Sequence, residues 1–510
     1  MKKVFQLIFS GFLFVSIMLI ACACAKDYDI TVQFFAGDKL VATKYLHYGD
    51  KLGSLPSYTE DGFNLLSWHY TDGGIVSQED KVLSNSLVSA KLSYNYIKSE
   101  DRNISENEKV NIKKASRLIF STNEGLFVSS DDLKDINELA VKELDLSPSS
   151  FLNNEIPDNA FLENNNLEYI ILPNNLQIIS NCAFKNCSSL KNVFFAEGVE
   201  EIRSEAFYNT KLESIILPDS LKTIGNNAFS SCKYLLSVEC GKNLVNVSYN
   251  FVDDSINLER IDIREAGTYF SDNGSIYVTE TAVDDFGNDV ISYKLLRCPE
   301  GKTGTFTMFN KTSVIGKYSL YNCKKLNQII LASNELSRGA EIEEYALCGC
   351  DNVKNIKLST ALKTIGDYAF YGCTGVNYFN LEETMVKSIG ANAFRECNRL
   401  TSVILPSSIE NIGEYAFYNL TDLTIVDALH NLNNVSFGDY AFSKTHYYQK
   451  LRIRISEINN VLSVGKESFG KAYVSSFESN PNMVDVYVNN KAEFDSLFAD
   501  NYTNLSYITK

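Results

Sequence analysis

The stretch Ile365-Gly-Asp-Tyr-Ala-Phe-Tyr-Gly-Cys373 returns as Ile389-Gly-Ala-Asn-Ala-Phe-Arg-Glu-Cys397 and again as Ile412-Gly-Glu-Tyr-Ala-Phe-Tyr-Asn-Leu420. A recurrence in the low twenties marks a solenoid, in which each unit is one coil that buries its apolar side only by stacking on its neighbours. With the phenylalanine as phase mark, units fall at Phe161, Phe184, Phe207 and Phe229, then at Phe370, Phe394, Phe417, Phe442 and Phe469. Phe251 keeps the phase between the two blocks. Leu320 and Leu347 stand where phenylalanine is expected, so a single array runs through both blocks.

A second element follows each mark: Leu167-Glu-Tyr-Ile170-Ile-Leu172-Pro173, Leu212-Glu-Ser-Ile215-Ile-Leu217-Pro218, Leu400-Thr-Ser-Val403-Ile-Leu405-Pro406. The L-x-x-I-x-L spacing sets the last two apolar residues on one side of a short strand. Stacked in register, such strands form a parallel sheet, and proline ends each because it has no N–H for a ladder. Leu221-Lys-Thr-Ile224-Gly225 and Leu362-Lys-Thr-Ile365-Gly366 read as a second short strand, with the Ala-Phe segment as a brief helical turn. Glycine at the bend suits a positive backbone angle, although Ser180 and Arg203 hold the same phase.

These residues resemble the BspA-like leucine-rich repeats of bacterial surface proteins, over about residues 115–510. The resemblance implies a mainly β, α/β-type solenoid of stacked parallel strands. Residues 266–312 break the period: Tyr269–Val278 and Ile291–Pro299 alternate like strands around the acidic stretch Asp284–Asp289, the pattern of an inserted β-hairpin. The acids fit a solvated turn, or a calcium loop without the usual ligand order. Val484–Val488 reads as a last strand and Lys491–Phe498 as a helix, so that 484–510 caps the array; 115–135 caps the other end.

Ahead of the array, Lys2 and Lys3 precede an apolar run from Val4 to Ile20, the pattern of a signal peptide over residues 1–21. Leu19-Ile-Ala-Cys22 resembles the lipobox of bacterial lipoproteins, which implies a lipidated Cys22 opening an anchor segment, 22–27; Cys24 is a competing site, and a plainly cleaved secretory peptide is the alternative. Residues 28–96 carry Tyr28–Phe34, Tyr48-Gly-Asp-Lys-Leu52, Gly62-Phe-Asn-Leu-Leu-Ser-Trp68 and Leu87–Tyr94. They resemble the internalin B-type repeat, a small β-grasp-like module, with Ser67 where that family has glycine. The resemblance implies a spacer without catalytic residues. Residues 97–114, with the polar Ser99–Lys109, read as a linker.

The formal net charge of −16 disfavours nucleic acid or an anionic membrane as partner and leaves lipid anchoring as the only membrane contact. Six cysteines, Cys187, Cys232, Cys323, Cys350, Cys373 and Cys397, share one phase, which Thr210 and Leu420 also occupy. That substitution pattern fits small packed residues; disulfides are the alternative in an exported chain. His47, His69, His430 and His446 lie at no metal spacing, and no hydrolase, nucleophile or phosphate-loop motif is present. No metal, cofactor or catalysis is expected.

What remains is binding. The outward strand position reads Ile171, Phe194, Ile216, Glu239 and Asp262 in successive coils, with Tyr169 beside the first. At about 4.8 Å per coil these make an apolar stripe, Tyr169, Ile171, Phe194 and Ile216, beside an acidic step, Glu239, Glu259 and Asp262. The stripe is either ordinary strand composition or a docking patch. Proteins resembling BspA are linked to adhesion, so the expected function is a cell-surface lipoprotein that binds a protein of a host matrix, a host cell or a neighbouring cell. A glycan-binding or envelope-scaffold role is the alternative.

Overall fold

The computed structural model describes residues 30–428 other than 266, 284–286 and 332–339, together with 432–443, 451–455, 458–465, 468, 484–488, 492 and 505–509. Packing divides the chain into two units: Met1–Leu152 with Asn166–Asn174, and Asn153–Asn165 with Asn175–Lys510.

The first unit is built on strands β1 (Ile30–Ala36), β2 (Lys39–Leu46), β3 (Thr59–Glu60), β4 (Phe63–Tyr70) and β5 (Ser86–Lys98). Their order is β2-β1-β5-β4-β3, with β1 and β5 parallel and the other neighbours antiparallel. Phe34 and Trp68 meet edge to face at 5.1 Å over Val32, Leu52 and Val88, and the indole N–H donates to Pro56 O (2.9 Å). The ladder does not stop at residue 96. The far half of β5 pairs in parallel with β6 (Arg117–Thr122), β6 with β7 (Glu143–Asp145), and β7 with the strand Tyr169–Ile171.

Residues 97–114, expected as a linker, instead carry helix α1 (Glu106–Lys114), closed at its start by a capping box between Ser105 and Glu108. Its buried face is the single residue Ile112, too sparse for a periodic signal. Helix α2 (Ser130–Glu138) follows, and its Asp132 forms a buried ion pair with Lys98 (2.6 Å).

The second unit repeats one coil. Short strands at 155–156, 178–179, 201–202, 223–224 and 246–247 pair in parallel with Ile156, Ile179, Ile202, Ile224 and Val247 turned inward. The L-x-x-I-x-L strands at 214–216, 237–240 and 260–263 form the second wall. Between the walls the marked aromatics stack face to face: Phe161, Phe184, Phe207 and Phe229 at 5.0, 5.0 and 5.3 Å, and Phe370, Phe394, Phe417 and Phe442 at 5.0 Å throughout. This spacing is near the rise of a sheet, about 4.8 Å per strand, so the rings add contact at every coil. Phe251 is the exception: Phe229 N–H donates to Phe251 O, where its counterpart Phe207 donates to the alanine Ala228, so Phe251 sits one position early and Val252 holds the aromatic site.

The Ala-Phe segment, expected as a helical turn, is a run of tight turns that makes a third ladder. Amides of Cys182, Phe184 and Asn186 donate to Ser204, Ala206 and Tyr208 of the following coil (3.0, 2.7 and 2.8 Å), while those of Ala183, Lys185 and Cys187 close turns within their own coil. Left-handed residues stand two before and two after the mark, such as Cys182 and Asn186, Glu205 and Asn209, or Tyr368 and Gly372. The glycine at the bend has a different cause from the one expected. Gly390 is not left-handed, but a Cβ there would lie 2.6 Å from Gly366 C, so glycine permits the close approach of one coil to the last.

At the break in the period the expected hairpin is a three-stranded meander: β8 (Tyr269–Asp272), β9 (Ser275–Val283) and β10 (Asp289–Arg297), antiparallel in that order. Asn273 and Gly274, both left-handed, form the two-residue turn that divides Tyr269–Val278. The inner ends are buried, the outer ends exposed, and β10 resumes the array by pairing in parallel with Thr312–Ile315. At the seam Arg297 is fully buried. It donates to Tyr318 O (2.6 Å), pairs with Glu300 Oε1 (2.6 Å), and has Asp253 Oδ1 at 2.8 Å off the line of a hydrogen bond. Burial pushes the Glu300 carboxyl up to about 7 despite the arginine.

Beyond the seam both walls continue, one from 312–315 to 458–464 and the other from 304–307 onward. Val484–Val488 is a strand as expected but not the last, since Leu505–Thr509 pairs with it in parallel. Phe469 and nearly all of Lys491–Phe498 lie outside the described residues.

Candidate partner-binding face

The outward positions alternate with core residues on three-residue strands. In Ser214–Ile216 the middle Ile215 is buried, so Ser214 and Ile216 face out. Ile216, Glu239 and Asp262 are then brought together as consecutive rungs. Phe194 ends the strand one coil earlier, Asn192–Phe194. Phe194 is 50% exposed and Ile216 65%, so both contact surfaces are available to a partner. Tyr234 and Leu236, 56% and 50% exposed in the next coil, add apolar surface that the L-x-x-I-x-L register does not single out.

Two of the three acids of the acidic step are paired. Arg264 reaches back across two coils to Asp219 (2.6 Å), Glu239 (3.3 Å) and Leu217 O (2.8 Å), and Arg260 pairs with Asp262 on its own strand. Glu259 is exposed. The face therefore offers large apolar side chains beside the paired Glu239 and Asp262 and the exposed Glu259.

Tyr169 and Ile171 belong to the first unit. Both are half-buried, and the Arg117 guanidinium lies over the Tyr169 ring at 5.3 Å while bonding Glu143. Cys22 lies outside the described residues.

The cysteine phase has a chemical reason that spacing alone does not reveal. Thiols of Cys187, Cys232, Cys350, Cys373 and Cys397 donate to the main-chain oxygen of the residue at the aromatic mark one coil back, at 2.9 to 3.2 Å. Ser255 does the same to Phe229 O (2.9 Å), and Thr210 bonds Phe207 O within its coil (3.1 Å). A small side chain with a donor satisfies a buried carbonyl. The ten described cysteines are all free.

A second aromatic series lies on the turns. Tyr249, Tyr318, Tyr345 and Tyr368 stack at 5.4, 4.9 and 4.6 Å with rings within 9° of parallel. Their faces cover one another, so this stack presents no row of open ring faces.

Among the described residues no helix is long and apolar enough to cross a membrane. No curated protein matches the chain. Among solved structures it is similar to a leucine-rich cell surface protein of Faecalibacterium prausnitzii, at 16% identity and TM-score 0.39, covering 74% of this chain and 96% of that one. It is also similar to a leucine-rich repeat protein of Eubacterium ventriosum (17%, TM-score 0.45, 70% and 91%) and to the pneumococcal vaccine antigen PcpA (17%, TM-score 0.39, 96% and 90%). The repeat family described as the BspA type leucine-rich repeat region matches in six copies, over residues 154–274, 298–424 and 340–475. These matched segments contain the stacked phenylalanines, the two strand walls and the thiol-to-carbonyl bonds of the second unit, and the chain belongs to the BspA-type leucine-rich repeat family.

Proposed function

We propose that the chain is an exported lipoprotein, anchored through Cys22, that captures a protein partner on the strand face of Phe194 and Ile216 in adhesion to host or neighbouring cells. Residues 1–21 are its signal peptide, 22–27 the anchor segment, 28–96 an internalin B-type spacer and the repeats the binding part. Leucine-rich repeat solenoids are typically binding scaffolds, with changeable side chains displayed on a fixed core. The observation that carries the reading is the pair of large apolar side chains exposed in successive coils, beside Glu239 and Asp262, which are paired within the chain. Covering each is worth about 1.5–3 kcal/mol, the scale of a binding hot spot.

The test sets matrix and cell-surface proteins against a glycan array, using the protein and its Phe194→Glu, Ile216→Glu double variant. Capture of a protein ligand that the variant loses at least tenfold, with an unchanged melting curve, supports the face. Capture by the variant at full strength discards it, and binding confined to glycans favours the alternative role. Radiolabelled fatty acid should enter the unaltered protein and not Cys22→Ala; label in both removes the assignment of Cys22.

A further inference from the structure

Among the described residues, the outer half of the β9–β10 pair leaves its main chain open. β8 covers β9 only to Tyr269↔Val278, with one further bond from Thr279 N–H to Thr268 O (2.8 Å). The strand Thr312–Ile315 meets β10 only at Tyr293–Leu295. Antiparallel alternation from Thr279 then turns the N–H and C=O of Thr281 and Val283 to one edge, and those of Asp289 and Ile291 to the other. Among the described residues no main-chain group bonds them at either edge.

Thr281, Val283, Asp289 and Ile291 share one face of the ribbon, and all are exposed, Val283 at 57% and Ile291 at 67%. Glu280 is exposed on the opposite face. Residues 279–292 contain no lysine, arginine or histidine. A two-stranded ribbon alone is marginal in water, and an open edge is a template for another strand. A second copy of this chain would set like charge against like.

We propose that this ribbon is a strand-addition site. An extended segment of a partner protein, alternating basic with β-branched residues, pairs along Thr281 and Val283, with its apolar side chains on the Val283–Ile291 face and its bases on the Glu280 face. The site is separate from the face of Phe194 and Ile216 and does not depend on it.

The probe is a fluorescein-labelled heptapeptide alternating lysine and valine, titrated against the full-length protein by anisotropy. Saturable binding is expected. It should weaken at least tenfold when the peptide amides are N-methylated, when glutamate replaces lysine, or in Thr281→Pro, whose lost N–H serves no existing ladder bond. Phe194→Glu with Ile216→Glu should leave it unchanged. Since Thr281→Pro could disturb the ribbon itself, amide exchange in the unaltered protein is the second readout, and the peptide should slow Thr281 and Val283. No binding, equal binding of the glutamate or N-methylated peptide, or unprotected amides at 281 and 283 would overturn the proposal.

Discussion

Glu300 holds its proton to a pH where exposed carboxyls have lost theirs, because little water reaches it, and the buried Arg297 that opposes this is shared with Asp253. Unfolded, it titrates near its ordinary 4.5; folded, near 7. The folded form therefore retains a proton that the unfolded form releases, and stability from this group is full below pH 4.5 and falls as pH rises towards 7. Glu300→Gln should flatten that part of the slope when thermal midpoints are compared between pH 5 and 8. The left-handed turn residues make a second single-residue test. Asn209 has φ +55°, so Asn209→Ala should cost about 1–2 kcal/mol in chemical denaturation, and Asn209→Gly should recover most of it. Tyr318, Tyr345 and Tyr368 occupy the same kind of backbone state, and their mutual stacking offsets a strain that asparagine tolerates by itself.

Within one coil, the phenylalanine stack and the thiol ladder fill neighbouring layers of the core. Phe207→Ala removes a ring packed between Phe184 and Phe229, and an expected loss of about 3–5 kcal/mol should appear as an earlier urea midpoint. Burial pushes the thiols of Cys187, Cys240 and Cys397 up to about 12. Iodoacetamide at pH 8 should leave these three unlabelled in the native protein and label them in denaturant, as read by peptide mass mapping. Strands and core were legible because Ile215, Leu217 and Phe207 recur at fixed spacing. The turn ladder was not, since Cys182, Glu205 and Tyr368 share a backbone state without sharing any chemistry. The exposure of Phe194 and Ile216 followed from strand alternation. The pairing of Arg264 with Asp219 did not, because 45 residues separate them and only the stacking of coils brings them together. Helix α1 was hidden by its near lack of an apolar face, and its signal was the capping pair Ser105 and Glu108.

Across the array, the ladders tie each coil to both of its neighbours. Turn amides donate forward to the following coil, as Phe184 does to Ala206, whereas the strand walls donate both backward, as Arg203 does to Ile179, and forward, as Leu217 does to Glu239. Each coil therefore presents the same donors and acceptors on its leading side as its predecessor did. The array can change length by whole units without rewriting any bond. Deleting residues 390–412 should join Ile389 to Gly413 in phase and yield a protein that still unfolds cooperatively, whereas a deletion half that size should leave both walls and the turn ladder out of register. Circular dichroism melts of the two deletions would separate these outcomes. A lineage carrying such a gene could lengthen or shorten its reach through recombination between repeats, with the partner-facing side chains redistributed at each step and the fold unaffected.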